Sequence, residues 1–126
     1  MERPERNAGP RLVKLSALAF VAIGLGALSA PRSSSRGYGL PAGDATSLGY
    51  VRALGARDLA LGLVLLSLPD EPRVLARSVA SCTVVAAADL LIVAAKSGRK
   101  AWKSSLTHLL GAACLAWSTA LLYAGR

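Results

Sequence analysis

Four apolar blocks leave this chain few ways to fold. They cover residues 12–30, 50–68, 74–95 and 105–124. Each comes near the roughly 20 apolar residues that a helix needs to cross the hydrocarbon of a bilayer. A soluble domain would break such blocks with a polar face. Here hydrophobic residues make up 53% of the chain and mean hydropathy is +0.46. The blocks predict an all-α integral membrane protein, a four-helix bundle of up-down topology. At 126 residues the chain has room for one domain. A polar tail over residues 1–11 is expected to be disordered. A single transmembrane domain over 12–126 follows it.

The linkers set the order of the helices. The second block ends at PDEP, Pro69 to Pro72, where two prolines and two acids stop a helix and force a tight turn. The third and fourth blocks are joined by KSGRKAWKS, a basic stretch with Gly98 as its helix breaker. Short links make antiparallel neighbours, so the second, third and fourth helices are expected to form an up-down-up set. The loop over residues 31–49, PRSSSRGYGLPAGDATSLG, is rich in Ser, Gly and Pro and reads as an irregular, exposed linker. It is also long enough to fold over the mouth of a bundle. The first block has a rival reading as a cleaved signal, with Arg11 and Lys14 ahead of it and GALSA at its end. The run is long for a signal core and Pro31 follows the cut, so a retained helix is the expectation.

Charge narrows the partners. Fifteen Lys and Arg against seven Asp and Glu give a formal net charge of +8. The basic residues sit mostly at block edges, where they meet lipid headgroups. They do not line one face with interleaved aromatics, and no nucleic-acid motif is present. The bilayer is therefore the expected partner, and nucleic acid is not. Cys82 and Cys114 lie inside apolar blocks, with no CxxC and no Cys/His ligand spacing. They read as small packing residues, and neither a metal nor a cofactor is expected. Lys and Arg divide almost evenly between the two sides, so the positive-inside rule leaves orientation open.

The second block, GYVRALGARDLALGLVLLSLP, carries Arg52, Arg57 and Asp58. A lone charge in lipid costs about 3 kcal/mol or more, so these groups need partners. Folding about PDEP puts Asp89 level with Ala53, beside Arg52. Folding about Arg99 puts it level with Leu109, beside His108. Three helices thus bring Arg52, Asp89 and His108 to one depth, with Arg57 and Asp58 about 8 Å deeper at 1.5 Å per residue. Gly55, Asp58 and Gly62 fall within about 60° on a helical wheel, a stripe suited to facing another helix. Arg57 points about 100° away from it, so it need not pair with Asp58; Asp89 is the partner a long Arg could reach. The expectation is a half-buried polar pocket built from Arg52, Arg57, Asp58, Asp89 and His108. Its mouth would be lined by the loop over residues 31–49, with Tyr38 and Tyr50.

Small residues recur elsewhere: Gly24 and Gly26, then Ser78, Cys82 and Ala86, then Gly111 and Ala112. They let membrane helices approach closely, within a bundle or in a homo-oligomer. Trp102 and Tyr123 read as interfacial anchors, and Trp117 as packing.

The run GARDLALGL, the later Asp in AADLLIV and the His in LTHLLG resemble an uncharacterised family of small four-helix membrane proteins, domain of unknown function 4267. The resemblance spans most of the chain. It implies four spans, and it points to Arg57, Asp58, Asp89 and His108 as the matching motif positions.

Several functions fit such a pocket. An Arg57–Asp58–Asp89 salt-bridge network could simply fix helix register. A binding or accessory protein would take a small amphiphilic or anionic ligand, since a poorly solvated Arg suits a carboxylate or phosphate. An enzyme acting on a hydrophobic metabolite would use His108 and an Asp as an acid–base pair. A proton-coupled small transporter comes third, because the first helix carries no charge. Intramembrane ionisable groups lean the choice towards function.

Overall fold

The computed structural model describes residues 8–37, 43–97, 111, 113–118 and 120–123, and no strand occurs among them. The elements are α1 (Ala8–Ser29), α2 (Pro31–Ser35), α3 (Ala45–Ser67), α4 (Pro72–Ser97) and α5 (Ala113–Tyr123). The all-α expectation holds. By length and composition one described helix, over Gly9–Ser29, is able to cross a membrane.

Helix ends follow local chemistry. α1 starts at Ala8, inside the stretch read as a disordered tail, because Pro10 sits in the first turn, where its missing N–H costs nothing. Pro31 opens α2 for the same reason, and its ring and Ser35 are buried. Part of the segment read as an irregular loop is therefore ordered helix. α3 begins five residues before the expected position 50. Asp44 supplies the cap that the apolar pattern did not reveal: its carboxylate accepts from Ser47 N–H at 2.8 Å and from the Ser47 hydroxyl at 3.0 Å. These bonds, the backbone one foremost, hold the Asp44 carboxyl below its ordinary range. Its contribution is complete above the unfolded-state pKa and is lost as acid protonates the capped form. Asp44→Asn should therefore flatten the acid limb of a pH–stability curve, and an unchanged limb would remove the cap from the account. PDEP behaves as expected: α3 ends at Ser67, and Pro72 begins α4.

The closest helix pair is α1 with α3, antiparallel along most of their length. The expected up-down-up set centred on α3 and α4 is not the tightest association. The reason is a stripe without side chains. A Cβ on Gly62 would lie 2.7 Å from Ala17 O and 2.8 Å from Val21 N. One on Gly55 would lie 2.6 Å from Ala27 Cβ, and one on Gly24 would lie 2.5 Å from Leu59 N. The glycine face of α3 meets α1, and α4 stands further off.

One half of the assembly is filled. Val13 and Ala17 of α1, Leu65 of α3, Leu75 and Val79 of α4, and Leu115 and Leu122 of α5 form a buried cluster. Lys14 closes that end. Its ammonium donates to the Leu66 and Leu68 carbonyls, both at 3.1 Å, and lies 3.4 Å from Asp70. These are carbonyls that the end of α3 leaves unpaired. Replacing Lys14 by Met should cost about 1–2 kcal/mol, since the side chain is one-third exposed and solvent screens part of the loss. Thermal unfolding in detergent reads it, and an unshifted midpoint would show water serving those carbonyls equally well.

Candidate functional site

At the other end α1 and α3 stay in close contact. A cavity of about 340 Å³ opens between α1, α3 and α4, with Gly111 ahead of α5 on its border. Phe20 and Ile23 of α1, Leu61 of α3, and Val85 and Ala86 of α4 give it apolar walls. Its polar part is Arg57, Asp58 and Asp89.

The guanidinium of Arg57 joins two carboxylates. Nε and Nη2 donate to Asp58 Oδ1 at 3.1 and 2.7 Å. Nη1 approaches Asp89 Oδ1 at 2.7 Å and Oδ2 at 2.6 Å. The Arg57 side chain keeps 30% of its surface, Asp89 16% and Asp58 6%. The sequence pointed to the Arg57–Asp89 pair across an expected one-turn difference in depth, and the two meet. It did not require Arg57 to pair with Asp58, and they are paired as well. Their Cα–Cβ vectors do diverge, but three methylenes let the guanidinium curl back along α3 to a neighbour's carboxylate. Asp58 itself lies on the Gly55–Gly62 stripe and is buried with it.

The remaining expected site residues fall differently. Arg52 is exposed and is not among the residues lining the cavity. Tyr50 is 65% exposed and also stands away from it. Both lie on the part of α3 nearest its N-terminus, beyond the cavity's reach. His108, Tyr38 and Trp102 lie outside the described residues. Trp117, read as packing, is 65% exposed, because α5 turns Leu115, Ser118 and Leu122 inward instead. Cys114 faces outward as well, while Cys82 is buried and lines the cavity. Tyr123 is 47% exposed at the end of α5.

Sequence reasoning missed one contributor: Phe20, Ile23 and Gly26 bring α1 into the cavity wall. The segment expected at the mouth does take part, through Ser34 of α2 and Gly37 beyond its end. The signal for α1 was present: Gly24 and the Gly55–Gly62 stripe are complementary, and matching them would have placed α1 on α3.

Chemically, the group offers carboxylate oxygens held in place by a fixed cation, next to apolar walls. Among the described residues no group of three or more His, Cys, Asp or Glu is placed to hold a metal ion. A family model described as "Domain of unknown function (DUF4267)" matches residues 17–122. No curated protein matches the chain, and no solved structure does.

Proposed function

The chain belongs to the DUF4267 family, and from that premise we propose that it is a small multi-pass membrane protein that binds a small amphiphile in the cavity between α1, α3 and α4. The cavity carries this reading. Apolar walls with a few convergent polar groups are the ordinary composition of a small-molecule site, and about 340 Å³ is at the low end of the usual range.

Four spans are the reading that the outer surface supports. Leu18 and Leu25 on α1, Leu63 and Val64 on α3, and Val84 and Leu91 on α4 are about half exposed or more. Apolar exposure on every long helix is costly in water and ordinary in lipid. At 1.5 Å per residue, the 23 residues of α3 and the 26 of α4 reach about 35–39 Å, enough for a hydrocarbon core of about 30 Å. α3 is too charged to pass as a span by composition, yet two of its three charges are the paired Arg57 and Asp58. Residues 78–95 of α4 contain one charge, Asp89, which Arg57 also meets. Retention of α1 follows from the same packing. Cleavage after Ala30 would strip the glycine face of α3 of its partner.

Two measurements test the proposal. Washing membranes at alkaline pH should leave the protein with the lipid; release into the supernatant would end the membrane reading. In nanodiscs, a single-chain ten-carbon amphiphile should bind saturably to the wild type. Ala86→Trp, which fills the cavity, should abolish that binding while the thermal midpoint stays within a few degrees. Equal binding by both proteins would place the amphiphile on the outer surface and sink the cavity reading.

A further inference from the structure

We propose that the cavity is selective for amphiphiles with a protonated amine head and discriminates against carboxylates, sulfates and phosphates. This rests on the amphiphile-binding reading and specifies its ligand. It reverses the anionic choice that an Arg in an apolar setting first suggests.

The reversal comes from the use already made of Arg57. A guanidinium has five N–H groups, and it clamps an anion through two parallel donors on one edge. Nε and Nη2, which form one such edge, both point to Asp58 Oδ1. On the other edge, Nη1 is held by Asp89 at 2.6–2.7 Å. Three of the five N–H groups are thus engaged, and an anion clamped end-on would have to share Nη1 with Asp89 and stand beside a carboxylate already in place.

The charge count points the same way. Among the described residues lining the cavity, one cation faces two carboxylates. An anionic head would add a third negative group in a poorly solvated space. An ammonium would lower that imbalance and find acceptors ready. Asp89 lines the cavity, and a carboxylate offers about four lone-pair directions, of which a single Arg57 nitrogen takes part. The apolar chain of the ligand would lie along Phe20, Ile23, Leu61 and Val85. About 340 Å³ suits one short chain rather than the two of a bilayer lipid.

The test uses three probes of equal chain length: decylamine, decanol and decanoate. Each is titrated into the full-length protein in phosphatidylcholine nanodiscs at neutral pH, against empty nanodiscs, with occupancy read by native mass spectrometry. Decylamine should bind at least about tenfold more tightly than decanoate, with decanol between them. Asp89→Asn, which leaves Arg57 and Asp58 as a balanced pair, should weaken decylamine roughly tenfold and narrow its lead over decanoate. Should that variant fail to fold, Asp89→Glu keeps the charge and is expected to keep the order of the probes. Val85→Trp is expected to remove all three. Decanoate binding as well as decylamine, or better, would overturn the selectivity and leave the amphiphile reading standing. If none of the three binds, both fall. A further titration with phosphatidylethanolamine in the bilayer separates the sources. Displacement of decylamine would assign the same head chemistry to a lipid; no displacement would assign it to a free amine.

Discussion

Arg57→Ala should be the most damaging change at the polar group, at about 3–5 kcal/mol. The substitution removes the cation that Asp58 and Asp89 both meet, and their side chains keep only 6% and 16% of their surface. A buried ion pair contributes little over a well-packed apolar replacement, yet breaking it from one side is costly. Asp89→Asn breaks it from the other side, and the asymmetry is informative. It leaves Arg57 with Asp58, one charge against one, so the loss should be about 1–2 kcal/mol. α4 should loosen from α3 first, because these two helices approach far less closely than α1 and α3 and Arg57 spans the gap between them. Neutralising all three positions together, with Leu, Asn and Asn, should recover most of what Arg57→Ala loses. Thermal midpoints and abundance in detergent decide the matter. Wild-type stability in Arg57→Ala would mean that water reaches both carboxylates in the cavity. The group would then have no structural duty, and the case for a functional one would sharpen.

That asymmetry also explains what could be read from the residues alone. Periodicity and block length gave the long helices, because both depend on side chains a few positions apart. The reach of a long Arg side chain gave the Arg57–Asp89 pair, whereas depth matching about PDEP set Asp89 beside Arg52, which stands away from the cavity. The Arg57–Asp58 contact stayed one alternative among others, because a helical wheel fixes Cβ directions and a guanidinium lies several bonds beyond Cβ. The α1–α3 contact was lost because a linker of some fifteen residues separates the two helices and carries no register. α2 was lost because a five-residue helix has no periodicity to detect. The cavity itself is a shortage of side chains at one level, set by how far α4 stands from the other two helices. Patterns within single helices hold no record of that distance.

The glycine stripe sets the distance between α1 and α3, and Gly24→Val is its most direct probe. A Cβ at position 24 would fall 2.5 Å from Leu59 N, 2.6 Å from Gly55 O and 2.8 Å from Leu59 Cα. All three are backbone atoms, so no rotamer change relieves the contact. α1 and α3 must move apart along their length. Two effects compete. Removing a glycine from a helix interior gains roughly 0.5–1 kcal/mol through the unfolded chain. Forcing two packed backbones apart costs about 1–3 kcal/mol or more, and here it also uncovers Gly55, Asp58 and Gly62. The cost should win, with a net loss of about 2–3 kcal/mol. Gly49→Ala is the control, on the exposed first part of α3, where nothing lies within 4 Å of the added carbon. It should leave stability unchanged or raise it by up to about 1 kcal/mol. Unfolding midpoints of the two variants in the same detergent give the comparison. If Gly24→Val matched Gly49→Ala, the two backbones would not be in contact, and the wall that Phe20 and Ile23 give the cavity would lose its support.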